Sequence, residues 1–160
     1  MHPKPSSQRA LLAASLLLTI TAPAQSPLTT LRDHQRVLLV FAPTSITPNF
    51  MRQQKLLKNH ASDFTDRDLT VIPVLTTWTT ADSGLRDENA SFTSQAEQNS
   101  LRQRFNIKTQ LFTVVLLGKD GGEKFRSSTP VTMERLAALI DSMPMRQQEL
   151  RQRTTRALSK

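Results

Sequence analysis

The 160-residue chain contains no cysteine. Without a thiolate it cannot carry out thiol–disulfide exchange or cysteine-dependent peroxide reduction, and it cannot form disulfides or zinc sites with sulfur ligands. Histidine is also scarce, because only His34 and His60 lie beyond the first 24 residues. A zinc site would need both imidazoles together with carboxylates such as Asp33 or Asp63, and nothing in the spacing indicates one. The sequence therefore predicts no metal and no cofactor.

No segment after residue 20 is apolar enough to cross a membrane. Residues 1–24 are typical of a bacterial export signal: a basic start with Lys4 and Arg9, an apolar or small run at 10–20, and a small–x–small cleavage site at 22–24. The apolar run is shorter than the roughly 20 residues that a spanning helix needs. Cleavage after residue 24 leaves 136 of the 160 residues, the size of one domain. We therefore expect a monomer exported to the periplasm or the medium, with no integral membrane span.

Positive charge is concentrated at the C-terminus. The chain has a formal net charge of +8, and residues 146–160 contain five basic side chains and one acid. The apolar residues of this segment, mainly Leu150 and Leu158, are too few for membrane insertion. We expect a leader at 25–30, a domain at 31–145 and a solvated basic tail at 146–160. Loose attraction to polyanions is expected of such a tail, without specific nucleic-acid recognition.

Four strands are predicted, at residues 37–41, 69–75, 112–117 and 123–127. The first and third are uninterrupted apolar runs, which are typical of strands covered on both faces. Pro73 cannot donate a ladder hydrogen bond, so it assigns the second strand to an edge. Residues 119–122 favour a tight hairpin that leads into the fourth strand.

Three helices are predicted, at 48–60, 95–105 and 133–143, from apolar residues at helical spacing. Thr47 is expected to cap the first, and His60 to place a favourable charge near its negative end. Pro144 is expected to end the last helix, which Thr129 or Thr132 caps. The order β-α-β-α-β-β-α places strand 1 beside strand 3, with a right-handed crossover between strands 1 and 2. This predicts an α/β, thioredoxin-like fold: a four-stranded mixed sheet of two parallel strands plus an antiparallel hairpin, with helices on both faces.

Two segments extend this interpretation to a family. Gly118-Lys119-Asp120-Gly121-Gly122-x-Lys124 and Ile140-Asp141-Ser142-Met143-Pro144-Met145-Arg146-x-x-Glu149 resemble the P-DUDES family. This is a thioredoxin-like domain of unknown function, found in bacterial exported proteins and in animal extracellular proteins with sushi repeats. The resemblance extends over about 31–150 and includes the first strand and its turn at 37–43. It implies the same fold, a comparison with peroxiredoxins, and no catalytic residue.

Both landmarks of thiol–disulfide exchange are missing. Residues 42–47, Ala-Pro-Thr-Ser-Ile-Thr, occupy the place of a thioredoxin dithiol, and residues 109–112 replace the segment that carries a cis-proline. Thr44, Ser45 and Thr47 either bind an anion at the helix N-terminus or only satisfy the loop and cap the helix. Ser45 could act as a nucleophile only with an oriented base beside it.

Four cations complete the predicted site residues. Lys119, Lys124 and Arg126 surround the hairpin, where they either bind a ligand or form charge pairs along a soluble edge. Arg146, with Glu149, either fixes the C-terminus to the domain or contributes to a recognition surface. The long polar loop at 76–94, with Trp78, is a further candidate for binding.

The sequence thus favours an exported, non-catalytic binding or structural module. Its partner is expected to be an extracytoplasmic protein or a polyanion. The alternative is an enzyme of unassigned activity that uses the Thr44–Thr47 loop.

Overall fold

A computed structural model describes residues 27–77 and 94–159. Within these ranges four strands form one sheet in the order β2–β1–β3–β4. They are β1 Arg36–Ala42, β2 Leu69–Leu75, β3 Thr113–Leu117 and β4 Glu123–Ser127. β1 pairs in parallel with β2, whereas β1–β3 and β3–β4 are antiparallel. The predicted order is confirmed, with the two apolar strands in the centre and the proline-bearing strand at an edge.

Six helices surround this sheet in the described part of the chain. They are α1 Pro27–Leu31, α2 Pro48–Leu57, α3 Ala61–Asp66, α4 Gln95–Arg104, α5 Met133–Asp141 and α6 Pro144–Leu158. The single helix predicted over 48–60 is wrong at its end, because the chain leaves α2 after Leu57 and Asn59 adopts a positive φ of 68°. Asn tolerates this left-handed conformation better than most residues.

The pleat of β1 divides the apolar core between the two faces of the sheet. Leu38 and Val40 face α2 and α5, whereas Val37, Leu39 and Phe41 face α4 and α1. Every residue of β1 is buried, as expected for a central strand covered on both sides. The predicted mixed sheet with helices on both faces is therefore the observed architecture.

The helix caps predicted from the sequence are observed only in part. Thr132 caps α5, as predicted, by accepting a hydrogen bond from the Arg135 N–H. Thr47 occupies the N-cap position of α2, but its side chain makes no capping bond. Ser94, followed by Glu97, forms a reciprocal capping box at the start of α4.

The C-terminal segment is a helix. Pro144 ends α5, as predicted, and also begins α6, where a missing N–H has no cost. Arg146 is only 1% exposed, whereas residues 151–159 are all exposed. The boundary predicted at residue 145 thus falls at the start of a helix whose first turns belong to the domain.

The predicted export signal and most of the predicted loop at 76–94, with Trp78, lie outside the described residues. Over 27–77 and 94–159, no helix has the length and apolar character needed to cross a bilayer.

Candidate functional site

The predicted site residues lie at two opposite ends of the sheet. Thr44, Ser45 and Thr47 follow the carboxyl end of β1, whereas Lys119 follows the carboxyl end of β3. These strands are antiparallel, so their carboxyl ends point in opposite directions. Lys124, near the start of β4, lies at the Lys119 end. The predicted residues therefore belong to two separate surfaces.

At the carboxyl end of β1, the loop hydroxyls bond mainly to each other. Thr47 Oγ1 accepts a hydrogen bond from the Thr44 N–H at 3.3 Å and lies 3.2 Å from Thr44 Oγ1. Ser45 is buried, and its Oγ has no hydrogen-bond partner among the described residues. No titratable side chain is hydrogen-bonded to any of these three hydroxyls in the described part of the chain.

His60 has a different position from the predicted one. It is the N-cap residue of α3, and its Nδ1 lies 2.9 Å from Asp63 Oδ2. The imidazole is therefore at the positive end of α3, because α2 ends three residues earlier than predicted. Across the described ranges, no three His, Asp or Glu side chains are close enough together to hold a metal ion.

At the other end of the sheet lies a cluster of ten charged residues, here called the ionic cluster. Its members come from β1, α3, the α3–β2 turn, the β3–β4 turn, α5 and α6: Arg36, Asp63, Asp66, Arg67, Asp68, Lys119, Asp141, Arg146, Glu149 and Arg153. The cluster joins segments that are distant in the sequence.

Arg36 and Glu149 form one half of the ionic cluster. Arg36, the first residue of β1, is 1% exposed, and its Nη2 donates to Glu149 Oε1 at 3.0 Å. Its Nη1 donates to the Arg67 carbonyl at 2.8 Å. Lys119 Nζ lies 2.9 Å from the same Glu149 oxygen and 2.8 Å from Asp68 Oδ2. Two cations therefore share one carboxylate oxygen.

Arg146 forms the other half. Its Nη2 donates to Asp66 Oδ2 at 2.5 Å and its Nε to Asp141 Oδ1 at 3.1 Å. Asp66 also accepts from Arg153 Nη1 at 2.7 Å, and Asp141 from Arg67 Nη2 at 2.8 Å. Because a buried guanidinium needs compensating charge, these carboxylates hold α6 against α3 and α5. Of the two roles predicted for Arg146, the contacts realise the attachment of the C-terminus.

The pKa values of two carboxylates reflect these contacts. Burial by itself raises the pKa of Glu149, but hydrogen bonds from Lys119 and Arg36 outweigh it and lower the pKa below 4.5. Burial likewise raises the pKa of Asp66, while Arg153 and Arg146 lower it more, to below 3.8. Both groups are therefore ionised at neutral pH.

A pocket of about 210 Å³ opens beside the first half of the cluster, between the β3–β4 turn and the α5–α6 junction. We call it the α5–α6 pocket. It is lined by three cations, one acid, a glycine and an apolar tripeptide: Arg36, Lys119, Lys124, Asp120, Gly118, Met143, Pro144 and Met145. A Cβ at Gly118 would lie 2.6 Å from both Asp120 Oδ1 and Lys124 Cε. Glycine at this position therefore leaves room for the Lys124–Asp120 pair at the pocket wall.

Two atoms of the Arg36–Glu149 pair have no hydrogen-bond partner among the described residues, although Arg146 Nη1 lies 3.7 Å from Glu149 Oε2. Arg36 Nε is a buried donor without an acceptor, and Glu149 Oε2 is a buried acceptor without a hydrogen-bond donor. Arg36 itself lines the pocket. Buried polar atoms are nearly always hydrogen-bonded in folded proteins, so these two atoms are exceptions within the described part of the chain.

Of the hairpin cations, Lys124 and Arg126 pair within their own segment rather than across strands. Lys124 Nζ is 2.6 Å from Asp120 Oδ2, and Arg126 contacts Glu123 at 2.7 and 2.8 Å. Arg126 also donates to the Phe105 carbonyl at 2.9 Å, which ties β4 to the end of α4. Lys119 and Lys124 thus reach the pocket, while Arg126 lies outside it.

Sequence reasoning missed Arg36 and the Asp66-Arg67-Asp68 triplet. One signal was present in the sequence. Arg36 directly precedes the apolar run that begins at Val37, so its side chain would be buried at the start of the strand. The carboxylate that compensates it lies 113 residues away, and neither the spacing nor the type of residue indicates that partner.

Solved structures with similar folds place the chain in a class. The reduced 2-Cys peroxiredoxin of Plasmodium vivax is 16% identical, with a TM-score of 0.55 over 75% of this chain and 83% of that one. Peroxidoxin BcpB of Mycobacterium tuberculosis is 15% identical, with a TM-score of 0.52 over 68% and 79%. A secreted disulfide oxidoreductase of Mycobacterium tuberculosis is 17% identical, with a TM-score of 0.50 over 72% and 86%. The protein is therefore a domain with a thioredoxin-like fold, which it shares with these enzymes.

Within this class the family is shown by the sequence. Residues 27–149 match a family model described as "Domain of unknown function (DUF4174)", and the chain belongs to this family. The matched region begins with α1 and ends at Glu149, so it includes all the residues that line the α5–α6 pocket. The fold is shared with redox enzymes, but this chain has no cysteine with which to perform their chemistry.

Proposed function

We propose that this protein is an exported, non-catalytic binding module, and that the α5–α6 pocket is its ligand site. We also propose that its family is the one known as P-DUDES, on the resemblance of Gly118–Lys124 and Ile140–Glu149, two segments that supply seven of the eight residues lining the pocket. Export is proposed from the signal at residues 1–24.

One observation carries the proposal: a charged base and an apolar rim meet in one pocket. Arg36 and Lys119 provide the base, and Met143, Pro144 and Met145 provide the rim. Met145 is 47% exposed, and methionine adapts its shape to different apolar ligands. Such a pocket fits the side chain of a partner protein that combines an apolar body with a polar end.

The alternative, an enzyme that uses the Thr44–Thr47 loop, has less support. Nucleophilic catalysis by Ser45 would need a base within hydrogen-bond reach of its Oγ. The Ser45 Oγ is buried, and no such base is bonded to it in the described part of the chain. A binding role needs no such group.

Polyanions are the second partner class, through the outer part of α6. Arg151 and Arg156 are exposed there, and neither forms an ion pair within the described ranges. Two free cations give only a weak, salt-dependent attraction. A protein partner at the pocket is therefore the main proposal.

The test compares two exposed methionines on different surfaces. Met145→Lys changes the pocket rim, and Met51→Lys is the matched control on α2, where Met51 is 58% exposed. We expect mature wild-type protein and M51K to retain the same partner from an envelope extract, and M145K to lose it. Equal retention by both variants would refute the pocket as the ligand site.

Export is tested separately. A processed chain that begins at Gln25, recovered from the periplasm or the medium, is the expected result. An unprocessed chain in the cytoplasm would contradict it.

A further inference from the structure

Three buried arginines differ in how their charge is compensated. Arg36 has Glu149, and Arg146 has Asp66 and Asp141. Arg102, in α4, is 5% exposed and forms no ion pair among the described residues. An isolated buried charge is costly unless an anion compensates it, so Arg102 is the exception among the buried arginines of residues 27–77 and 94–159.

Arg102 bonds only to backbone carbonyls within the described ranges. Its Nη2 donates to Ala42 O at 2.7 Å and to Val74 O at 2.9 Å, and its Nη1 to Lys108 O at 3.2 Å. Its Nε, also buried, has no acceptor among the described residues. Burial lowers the pKa of this guanidinium, which nevertheless stays protonated at neutral pH. The Phe41 ring, 5.6 Å from the guanidinium carbon, adds a cation–π attraction, but no carboxylate among the described residues pairs with this positive charge.

Arg102 forms part of an open groove of about 360 Å³ at the end of α4. The other polar side chains that line it are three amides, one hydroxyl and one cation: Asn99, Gln103, Asn106, Thr109 and Lys108. No acid is among its described lining residues. Lys108 is exposed, so its ammonium group is free to meet a ligand from solvent.

We propose that this groove binds a small oxyanion, a phosphate or carboxylate group. Lys108 makes the direct ion pair, the neighbouring amides donate hydrogen bonds, and Arg102 supplies positive potential from beneath the groove. A fixed charge under a low-dielectric floor acts on a bound ion more strongly than a solvated one.

The groove is distinct from the α5–α6 pocket. Arg102 bonds to Ala42, the last residue of β1, whereas the pocket contains Arg36, the first. Six steps along a strand separate them by about 20 Å. Binding at one site can therefore be tested without disturbing the other.

The experiment titrates the mature protein with inorganic phosphate, and in a second arm with citrate, against potassium chloride at equal ionic strength. We expect phosphate or citrate to raise the melting temperature in a saturable way, and chloride not to do so. The midpoint is the anion concentration that gives half of the maximal rise in melting temperature. The anion with the lower midpoint shows whether the groove prefers a phosphate or a carboxylate group. If neither phosphate nor citrate raises the melting temperature more than chloride does, the proposal is refuted.

Lys108→Gln is the main variant, because Lys108 is exposed and its side chain forms no ion pair in the described part of the chain. Loss of one solvent-exposed ion pair, about 1 kcal/mol, weakens the midpoint about fivefold. Lys58→Gln, which changes an exposed lysine beyond the end of α2, is the matched control and leaves the midpoint unchanged. Equal midpoints for K108Q and K58Q would mean that the anion binds outside this groove.

A spectroscopic readout separates this role from a purely structural one. The buried Nε–H of Arg102 should give its own ¹H–¹⁵N resonance, which shifts on addition of phosphate in wild type and in M145K alike. A resonance that stays fixed while binding occurs would show that Arg102 serves only to satisfy carbonyls.

Discussion

Gln53 shows how one side chain can replace a missing backbone partner. It is 1% exposed on α2; its Nε2 donates to Val131 O at 2.9 Å, and its Oε1 accepts from Val131 N at 2.7 Å. The amide thus satisfies both backbone groups of a residue just before α5, as a neighbouring strand would. Phe50 and Leu57, seven residues apart in the sequence, share the buried face of this helix, but apolar spacing does not indicate a polar residue within it.

Substitution of Gln53 tests this role. Gln53→Ala leaves a buried N–H and a buried C=O of Val131 unpaired, which should lower the free energy of unfolding by about 2–4 kcal/mol. Gln53→Glu should be destabilised at neutral pH, because its carboxylate faces the Val131 carbonyl, and should regain stability when acid protonates it. Urea denaturation at pH 7 and pH 4 measures both. Gln54→Ala, exposed on the same helix, should change stability by less than about 0.5 kcal/mol; a similar loss there would contradict the argument.

At the scale of elements, α6 is attached by charge more than by apolar contact. Arg146 is its only fully buried residue, and it uses three different nitrogens to reach Asp66 and Asp141. Leu150 is half-buried, and the residues after it are exposed. The Arg146 cation was recognised in the sequence as a candidate for this attachment, but its carboxylates were not.

Arg146→Lys should therefore loosen α6. A lysine keeps the charge but cannot make the branched set of bonds that the planar guanidinium makes. We expect a loss of about 1.5–3 kcal/mol and faster amide exchange across the first turns of α6, with the exchange of β1 and β3 less affected. Hydrogen exchange followed by mass spectrometry measures this. Arg151→Lys, on the exposed part of the same helix, is the control; equal acceleration in both would show that Arg146 does not hold the helix.

At the scale of the whole molecule, the ionic cluster links stability to pH. The pKa values of Glu149 and Asp66 are lower in the folded state than their ordinary values of 4.5 and 3.8. The unfolded chain therefore binds more protons as the pH falls through this range. The stabilisation is fully present above about pH 4.5 and is lost as the pH falls further, through the folded-state values.

Glu149→Gln isolates the contribution of one carboxylate. It leaves Arg36 and Lys119 without their shared negative charge, so at pH 7 we expect a loss of about 1.5–3 kcal/mol in the free energy of unfolding. Because wild type loses the same interaction in acid, the difference between the two proteins should shrink from pH 6 to pH 3. Chemical denaturation across this range measures it. A difference that stays constant with pH would contradict the assignment of Glu149 as the ionised partner.

The fold could be predicted because its signals are local. Each of these signals describes its own segment: the continuous apolar runs at 37–41 and 112–117, the proline in β2 and the glycines after β3. Together they are compatible with only a few orders of strands in the sheet. The end of α2 was mispredicted because His60 continues a polar, helix-compatible pattern, whereas the turn at Asn59 depends on α3 packing back against the sheet.

The candidate sites depended on contacts between distant segments. The four predicted cations were ordinary surface residues in the sequence, and only the fold distinguishes Lys119 and Lys124 at a pocket from Arg126 outside it. Arg102 gave no signal at all, because arginine at a buried helical position looks the same whether or not a carboxylate lies nearby.

The sequence by itself determined the chemistry that this protein lacks and the layer of strands and helices that it forms, because the absence of cysteine is absolute and hydrophobic patterning acts over a few residues. Only the tertiary structure decided which charges compensate one another. Oppositely charged residues such as Arg36 and Glu149 come together only when the whole chain folds. Because they are then buried, the presence or absence of each partner strongly affects stability.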